Sequence, residues 1–376
     1  MPELALLTEQ LLAPVPGGTG RYTRELAAAL AATAPPGWRV TGVVANHRDT
    51  SAARVDGVGG PRALRLPRRA LTLAWEYGLP LWPGGDVVHA PTPLAPAAAR
   101  RGAALVVTVH DTVPFTHPET LTPRGAAWHR AVIRRAAQRA DALVVPTDTV
   151  AAELAEHAPG PARVHVVGHG VPAVLRTPPP EAVVAAVVAE HRLPPAYVLA
   201  VGTVEPRKGL DVLVEAMAGP SAPDLPLVVV GPTGWGGVDL RALAAQHGLP
   251  PGRLRVLGPL TDEQLAVVLH RATVLAAPSR AEGFGLPVLE AMAVGVPVVH
   301  SDAPALVEVA GGAGVAALRE DVADLARALS SVVDSPERAA ELVERGRARA
   351  AAFTWEHAAE SVWRLHSRLL SEKAGT

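Results

Sequence analysis

At 376 residues the chain exceeds one ordinary hydrophobic core and suits two domains of roughly 150–200 residues. Nearly half of it, 49%, is apolar, the net charge is −1 and Cys is absent. These values argue against a dedicated nucleic-acid binder, a disulfide framework, a thiolate nucleophile and a Cys-based metal site. The charge is uneven: residues 1–172 hold 17 Arg and 13 Asp/Glu (+4), the remainder 18 Lys/Arg and 23 Asp/Glu (−5). A basic first half either meets an anionic acceptor or lipid surface, or is incidental. The start, Met1 to Leu7, lacks the basic region and apolar core of a signal peptide, and no run approaches the ~20 apolar residues of a spanning helix. A soluble, cytoplasmic protein is expected, with the inner face of the membrane as a second location.

In chain order, Leu4–Thr8 reads as a strand, followed by a loop from Pro14 to Gly20 that holds Gly17 and Gly18. A helix follows from Arg21 to Ala32. The glycines do not spell GxGxxG, so the dinucleotide fingerprint fails, and no GxxxxGK[ST] loop occurs. Val40–Ala45 is a second strand. Residues 48–85 are the hardest to read: four arginines (Arg62, Arg65, Arg68, Arg69) precede Trp75, Tyr77 and Trp82. They form either an interfacial patch or a variable loop and helix with solvated arginines.

Val87–His89 and Leu105–Val109 are short strands, the latter ending in His110-Asp111. A polar pair just past a strand's C-terminal end is where open α/β sheets bind ligands. Thr147 suits a helix N-cap, Val164–Val167 is a further strand, and Pro172–Pro180 reads as a hinge. Tyr197–Val201 is an apolar strand that gives way to Gly202-Thr203-Val204-Glu205-Pro206-Arg207-Lys208-Gly209 and a helix. Arg offers a diphosphate a planar fork and Lys a point charge. Lys208 is also conspicuous as one of only two lysines, with Lys373. Further alternation follows, with Gly258-Pro259-Leu260 and a Thr261-x-x-Gln264 capping box.

The most informative stretch is Pro278–His300. A buried strand, Val274–Pro278, leads into Glu282-Gly283-Phe284-Gly285, then a helix opening at Leu286-Pro287 and ending at Gly295. The glycines let backbone N–H groups approach a ligand, and a helix start favours negative charge. Glu282 lies in the loop and Glu290 one turn into the helix, whose side chains tilt back toward its start. Two carboxylates eight residues apart either hold the hydroxyls of a polyol or are a loop carboxylate and a solvated helix face.

Glu282-GFGLPVL-Glu290 and the following AMAVGVPVV closely resemble the Glu-x7-Glu region of family-4 retaining glycosyltransferases of the GT-B fold. The resemblance extends to GG-x-GRY-x-REL at Gly17–Leu26, VTVHD at Val107–Asp111, VGT-x-EPRK at Val201–Lys208 and the Gly258-x-Leu260 turn. It implies an α/β protein of two Rossmann-like parallel-sheet domains facing a cleft, with a C-terminal helix returning to the first domain. The expected domains are 1–172 with helix 355–371 on the acceptor side, a linker 173–195, and a donor domain 196–354.

It also implies residue roles. Glu282 lies at the donor sugar, Glu290 at its ribose, and Gly283, Phe284, Gly285 and Leu286 meet sugar and diphosphate through backbone groups. His110, Arg207 and Lys208 join Glu282 as catalytic residues. Gly17, Gly18, Gly202, Thr203 and Leu260 complete the donor site, and Asp111 orients His110 or binds the acceptor. Many members carry Arg at the Thr203 position, which leaves open whether Arg207 takes over that role. The subgroup is mannosyltransferase-like. GDP-mannose is the first-choice donor, a UDP- or dTDP-sugar the alternative, and the acceptor is a glycan, lipid-linked or small-molecule hydroxyl. No metal or other cofactor is expected, nor a nucleic-acid partner, and a weak peripheral membrane contact belongs to the basic first domain. A nucleotide-sugar epimerase or a non-catalytic sugar-nucleotide binder of the same fold is the competing reading.

Overall fold

The computed structural model describes residues 1–79 and 81–375. Contacts group them into two units: Met1–Pro118 with Thr122–Gly170 and the chain from Thr354 onward, and Val171–Phe353 with Glu119–Leu121.

The first unit holds seven parallel strands: β1 (Glu3–Leu7), β2 (Arg39–Val44), β3 (Gly59–Ala63), β4 (Val87–Ala90), β5 (Ala104–Thr108), β6 (Ala142–Val145) and β7 (Arg163–Val166). They pair in the order β3-β2-β1-β4-β5-β6-β7. The second unit holds six: β8 (Val198–Val201), β9 (Leu227–Val230), β10 (Leu254–Gly258), β11 (Val274–Ala277), β12 (Val298–Ser301) and β13 (Val315–Ala317). These are also parallel, in the order β10-β9-β8-β11-β12-β13. Central strands such as ALVVT and LVVV are buried at every position. Parallel strands covered by helices on both faces read as unbroken apolar runs for this reason. Each sheet is an open α/β sheet with the two-domain architecture of GT-B.

Strand order reverses once in each sheet, between β1 and β4 and between β8 and β11. At such a reversal the connections leave to opposite faces, which opens a crevice beyond the strands' C-terminal ends. The turns after β8 and β11 are the two that carry Arg207, Lys208 and Glu282.

The terminal helix Trp355–Ala374 belongs to the first unit. Trp355, Val362, Trp363 and Leu369 share one core cluster with Leu4, Leu6, Leu26 and Leu30. The Trp363 Nε1–H donates to the Leu30 carbonyl at 3.0 Å, and its ring meets Trp38 edge-on at 5.0 Å.

Three local expectations differ from the structure. The first helix spans Gly17–Ala32 rather than starting at Arg21, because the Pro16 carbonyl already accepts the Gly20 N–H at 2.9 Å. Gly59–Ala63 (GGPRA) is a strand despite its Gly and Pro, which are tolerated there because β3 is an edge strand. Residues 173–195 carry two helices, Ala173–Arg176 and Glu181–His191, and bury Leu175 and Val187 in a core of the second unit. Pro172 and Pro180 are the N-caps of these helices, where a missing N–H is harmless. Among the described residues, no helix is long and apolar enough to cross a membrane.

Trp363→Ala removes a buried ring and leaves the Leu30 carbonyl without its donor. We expect a loss of about 3–5 kcal/mol in equilibrium denaturation; a loss below about 1 kcal/mol would show that the terminal helix contributes little to the first unit.

Candidate active site

Beyond β8 the chain makes a short turn, Pro206–Lys208, closed by Gly209. Gly209 has φ +62°, and a Cβ there would lie 2.2 Å from the Pro278 carbonyl oxygen. The turn therefore rests directly on the end of β11, and only glycine allows it. The Lys208 stem crosses Gly202, where a Cβ would meet Lys208 Cε at 3.3 Å. Thr203 packs its methyl toward Gly234, where a Cβ would stand 2.5 Å from it.

Beyond β11 the loop Pro278–Gly285 leads into the helix Leu286–Val294. Gly285 is its N-cap with φ +97°, and a Cβ there would meet Leu306 Cδ2 at 2.4 Å. Gly283 and Phe284 are buried, and the Phe284 ring meets Phe353 edge-on at 5.9 Å. Leu286 packs against the same apolar core.

These two turns meet at Glu282. Its side chain is 9% exposed and accepts from Arg207 Nη1 at 2.9 Å, from Lys208 Nζ and from Ser279 Oγ at 2.8 Å. Arg207 also pairs with Glu205 at 2.9 Å and donates to the Ala281 carbonyl at 3.2 Å. Burial by itself raises the Glu282 carboxyl, but the Lys208 and Arg207 charges and the hydrogen bonds outweigh it and hold it at about 2. A carboxyl held below its ordinary 4.5 adds stability that is complete above about pH 4.5 and lost as pH falls toward 2. Lys208, Ser279, Glu282, Gly285, Pro287 and Leu306 line one small pocket.

Glu290 is 1% exposed, within the same helix. The solvated-face alternative for it fails, since its side chain lies inside the fold. Leu260 follows β10 and packs against the apolar core that contains Val288 and Leu289. The capping box of Thr261 and Gln264 starts the next helix as expected.

The remaining predicted residues lie in the first unit. His110 follows β5, and its Nε2–H donates to the Pro91 carbonyl at 2.8 Å. A carbonyl only accepts, so this bond places the proton on Nε2 and the lone pair of the neutral ring on Nδ1. Burial lowers the pKa of His110, opposed by the Pro91 bond and by Asp111. Asp111 accepts from the Val113 N–H at 3.2 Å. The Tyr22 ring stands edge-on to His110 at 4.6 Å and 4.7 Å from His169, which stacks on Trp355 at 5.8 Å. Gly17 and Gly18 are exposed at the start of the helix that supplies Tyr22.

Sequence reading passed over Ser279, Tyr22 and His169. Ser279 had a signal, since it adjoins the glycine loop; Tyr22 and His169 reach His110 only through the fold. Among the described residues, no group of three or more His, Cys, Asp or Glu side chains could hold a metal ion.

Comparison with known proteins places this geometry in a family. The Glycosyltransferase Family 4 model matches residues 16–174, and the model for glycosyl transferases group 1 matches residues 187–349. The chain is 32% identical over 294 residues to a D-inositol 3-phosphate glycosyltransferase of Gordonia bronchialis, covering 74% of this chain and 64% of that protein. It is 31% identical over 299 residues to an MMP alpha-(1->4)-mannosyltransferase of Mycolicibacterium hassiacum, covering 73% and 68%. It thus spans somewhat under two thirds of the first relative and just over two thirds of the second. Among solved structures, sucrose-phosphate synthase from Thermosynechococcus elongatus superposes with a TM-score of 0.75 over 99% of this chain and 100% of that one, at 24% identity, a likeness of fold. With both halves matched in order and a relative of this identity and coverage, the chain belongs to the GT-B glycosyltransferases of group 1 and family 4.

Proposed function

We propose that this chain is a retaining glycosyltransferase that moves a sugar from a nucleotide donor to an acceptor hydroxyl, with GDP-mannose as the donor. The observation that carries the reading is the Glu282 carboxylate set against Arg207 and Lys208 at the β8/β11 reversal. A transferase of this kind must stabilise a departing nucleoside diphosphate and a cationic sugar carbon together. Arg207 and Lys208 supply fixed positive charge for the first, and Glu282 a carboxylate for the sugar. Backbone N–H groups at Gly285–Leu286 open a helix toward the same pocket.

In the step itself the sugar C1–O bond to the diphosphate breaks, and its electron pair leaves with the phosphate oxygen. The acceptor oxygen bonds C1 on the face the phosphate has just left, and its proton passes to that phosphate oxygen. Preorganised donors at the leaving charge are each worth roughly 3–4 kcal/mol. Glu290 holds the donor ribose through a charged hydrogen bond, and His110 serves the sugar and phosphate with its ring held by Pro91. Asp111 orients that ring or binds the acceptor.

The mannosyltransferase name of one relative supports mannose, and both relatives' names support transfer over epimerisation. An epimerase would form product from the donor alone, and a pure binder would never split it.

A peripheral contact with an anionic membrane completes the reading of partners. Around the helix Arg68–Glu76, Leu73, Tyr77 and Leu79 are 51%, 83% and 52% exposed. Arg65 and Arg69 are exposed beside them, and Arg139 reaches Gly78. Exposed apolar groups with arginines close in sequence suit an anionic lipid surface, at about 1 kcal/mol per cation.

Thermal denaturation across GDP-, UDP- and dTDP-sugars, paired with a transfer assay, tests the donor. GDP-mannose at about 100 times its dissociation constant should add ~2.7 kcal/mol; stabilisation by a UDP- or dTDP-sugar alone would replace the donor, and none at all would sink the function.

Lys208→Ala should lower turnover more than it weakens donor binding, since its contact tightens as charge moves onto the leaving phosphate. Near-normal turnover would pass that role to Arg207 alone.

In co-sedimentation, the parent should bind vesicles rich in phosphatidylglycerol and not neutral phosphatidylcholine, and a Leu73→Glu/Tyr77→Glu double variant should not bind. Equal binding by parent and variant would remove this surface as the contact.

A further inference from the structure

We infer that Arg280, clamped by Asp211, is a positioning residue that sets the Arg207–Lys208 turn for the donor diphosphate; this rests on the donor site proposed above. Arg280 lies in the Glu282 loop, yet its side chain turns away from the pocket and reaches under the neighbouring turn. Its guanidinium donates to the Pro206 carbonyl at 2.5 Å. Its backbone N–H donates to the Arg207 carbonyl at 2.8 Å. One residue therefore anchors two consecutive carbonyls of the turn that carries both cations.

The clamp is built from several sides. Arg280 Nη1 and Nη2 donate to the two carboxylate oxygens of Asp211 at 2.9 and 2.7 Å, and Nε donates to Glu320 at 2.9 Å. Asp211 opens the helix Leu210–Ala218 that follows the turn. Bidentate pairing of this kind fixes direction as well as distance. The Arg280 side chain is 20% exposed and that of Asp211 37%, so the pair is partly shielded from water. Glu320 has φ +62°, a left-handed backbone that a residue with a Cβ adopts at a cost. Arg319 ties this corner to β12, pairing with Asp302 at 2.7 Å.

The turn needs such anchors. Pro206–Lys208 is three residues long, held internally by Lys208 N–H to Glu205 and Gly209 N–H to Pro206. The Arg207 side chain is also held by Glu205, the Ala281 carbonyl and Glu282, and Lys208 by Glu282, but the backbone that carries both cations is held by these two internal bonds and those from Arg280. The bonds from Arg280 tie the turn to the very loop that presents Glu282, so the two cations and the carboxylate keep one geometry.

A purely structural bridge would destabilise the protein when cut and weaken every ligand alike. A positioning residue acts selectively on the diphosphate. The test is ligand-observed NMR competition with GDP and with guanosine (UDP and uridine if the donor panel selects UDP), on the parent, Arg280→Ala, Arg280→Lys, Asp211→Asn, Lys208→Ala and Arg280→Ala/Lys208→Ala. Arg280→Ala should lose about ten- to a hundredfold in diphosphate affinity with nucleoside affinity unchanged. Arg280→Lys should recover part of the loss, Asp211→Asn should show a smaller loss, and Arg280→Ala should cost less where Lys208 is already absent. Equal losses for both ligands, unchanged diphosphate affinity in Arg280→Ala, or full additivity with Lys208→Ala would overturn the assignment. If Arg280→Ala does not fold, the lysine and asparagine variants decide it by the same selectivity. A parent that binds no nucleoside diphosphate would instead overturn the donor site itself.

Discussion

The second unit depends on one buried carboxylate with two cations. Moving Glu282 out of water costs free energy, and this is offset only because Arg207, Lys208 and Ser279 all donate to it. Those donors come from two different strand-to-helix turns, so satisfying one charge fastens both turns together. The strands beneath them, β8 and β11, are neighbours only because the strand order reverses there. Topology thus creates the opening, and electrostatics fixes what stands in it.

Glycine supplies the remaining freedom. Gly209 lets one turn lie on the backbone of the other, and Gly285 lets the helix begin against Leu306. The flexible residues of this site are therefore its most constrained ones: each is fixed by what a Cβ would strike. Arg280 extends the same logic outward, binding the turn to the loop through carbonyls rather than through the groups that face a ligand.

In the first unit the corresponding reversal lies between β1 and β4. Next to it, beyond β5, His110 is held by the Pro91 carbonyl that follows β4 and by the ring of Tyr22. Trp355, from the far end of the chain, stacks on His169 in the same aromatic group. The terminal helix therefore does more than cover apolar surface; it brings a ring into contact with the residues around His110.

Much was legible in the sequence because it depends on local chemistry. Apolar runs gave the strands, Thr147 and Thr261 the helix starts, and the glycine loop at Glu282 with Pro287 gave a strand-loop-helix unit. Local pattern failed where tertiary position overrode it: GGPRA became a strand because an edge tolerates Pro and Gly, and 173–195 formed helices that join a core. Residue type alone marked Arg207, Lys208 and Glu282 as charged groups near helix starts. That they share one ion-pair cluster was decided by strand order, which no local pattern encodes, since residues some seventy-five apart meet only when β8 and β11 pair. The sequence by itself determined which groups can carry charge and which segments can be strands; the fold alone decided which of them touch, because contact between distant residues follows from packing and not from spacing.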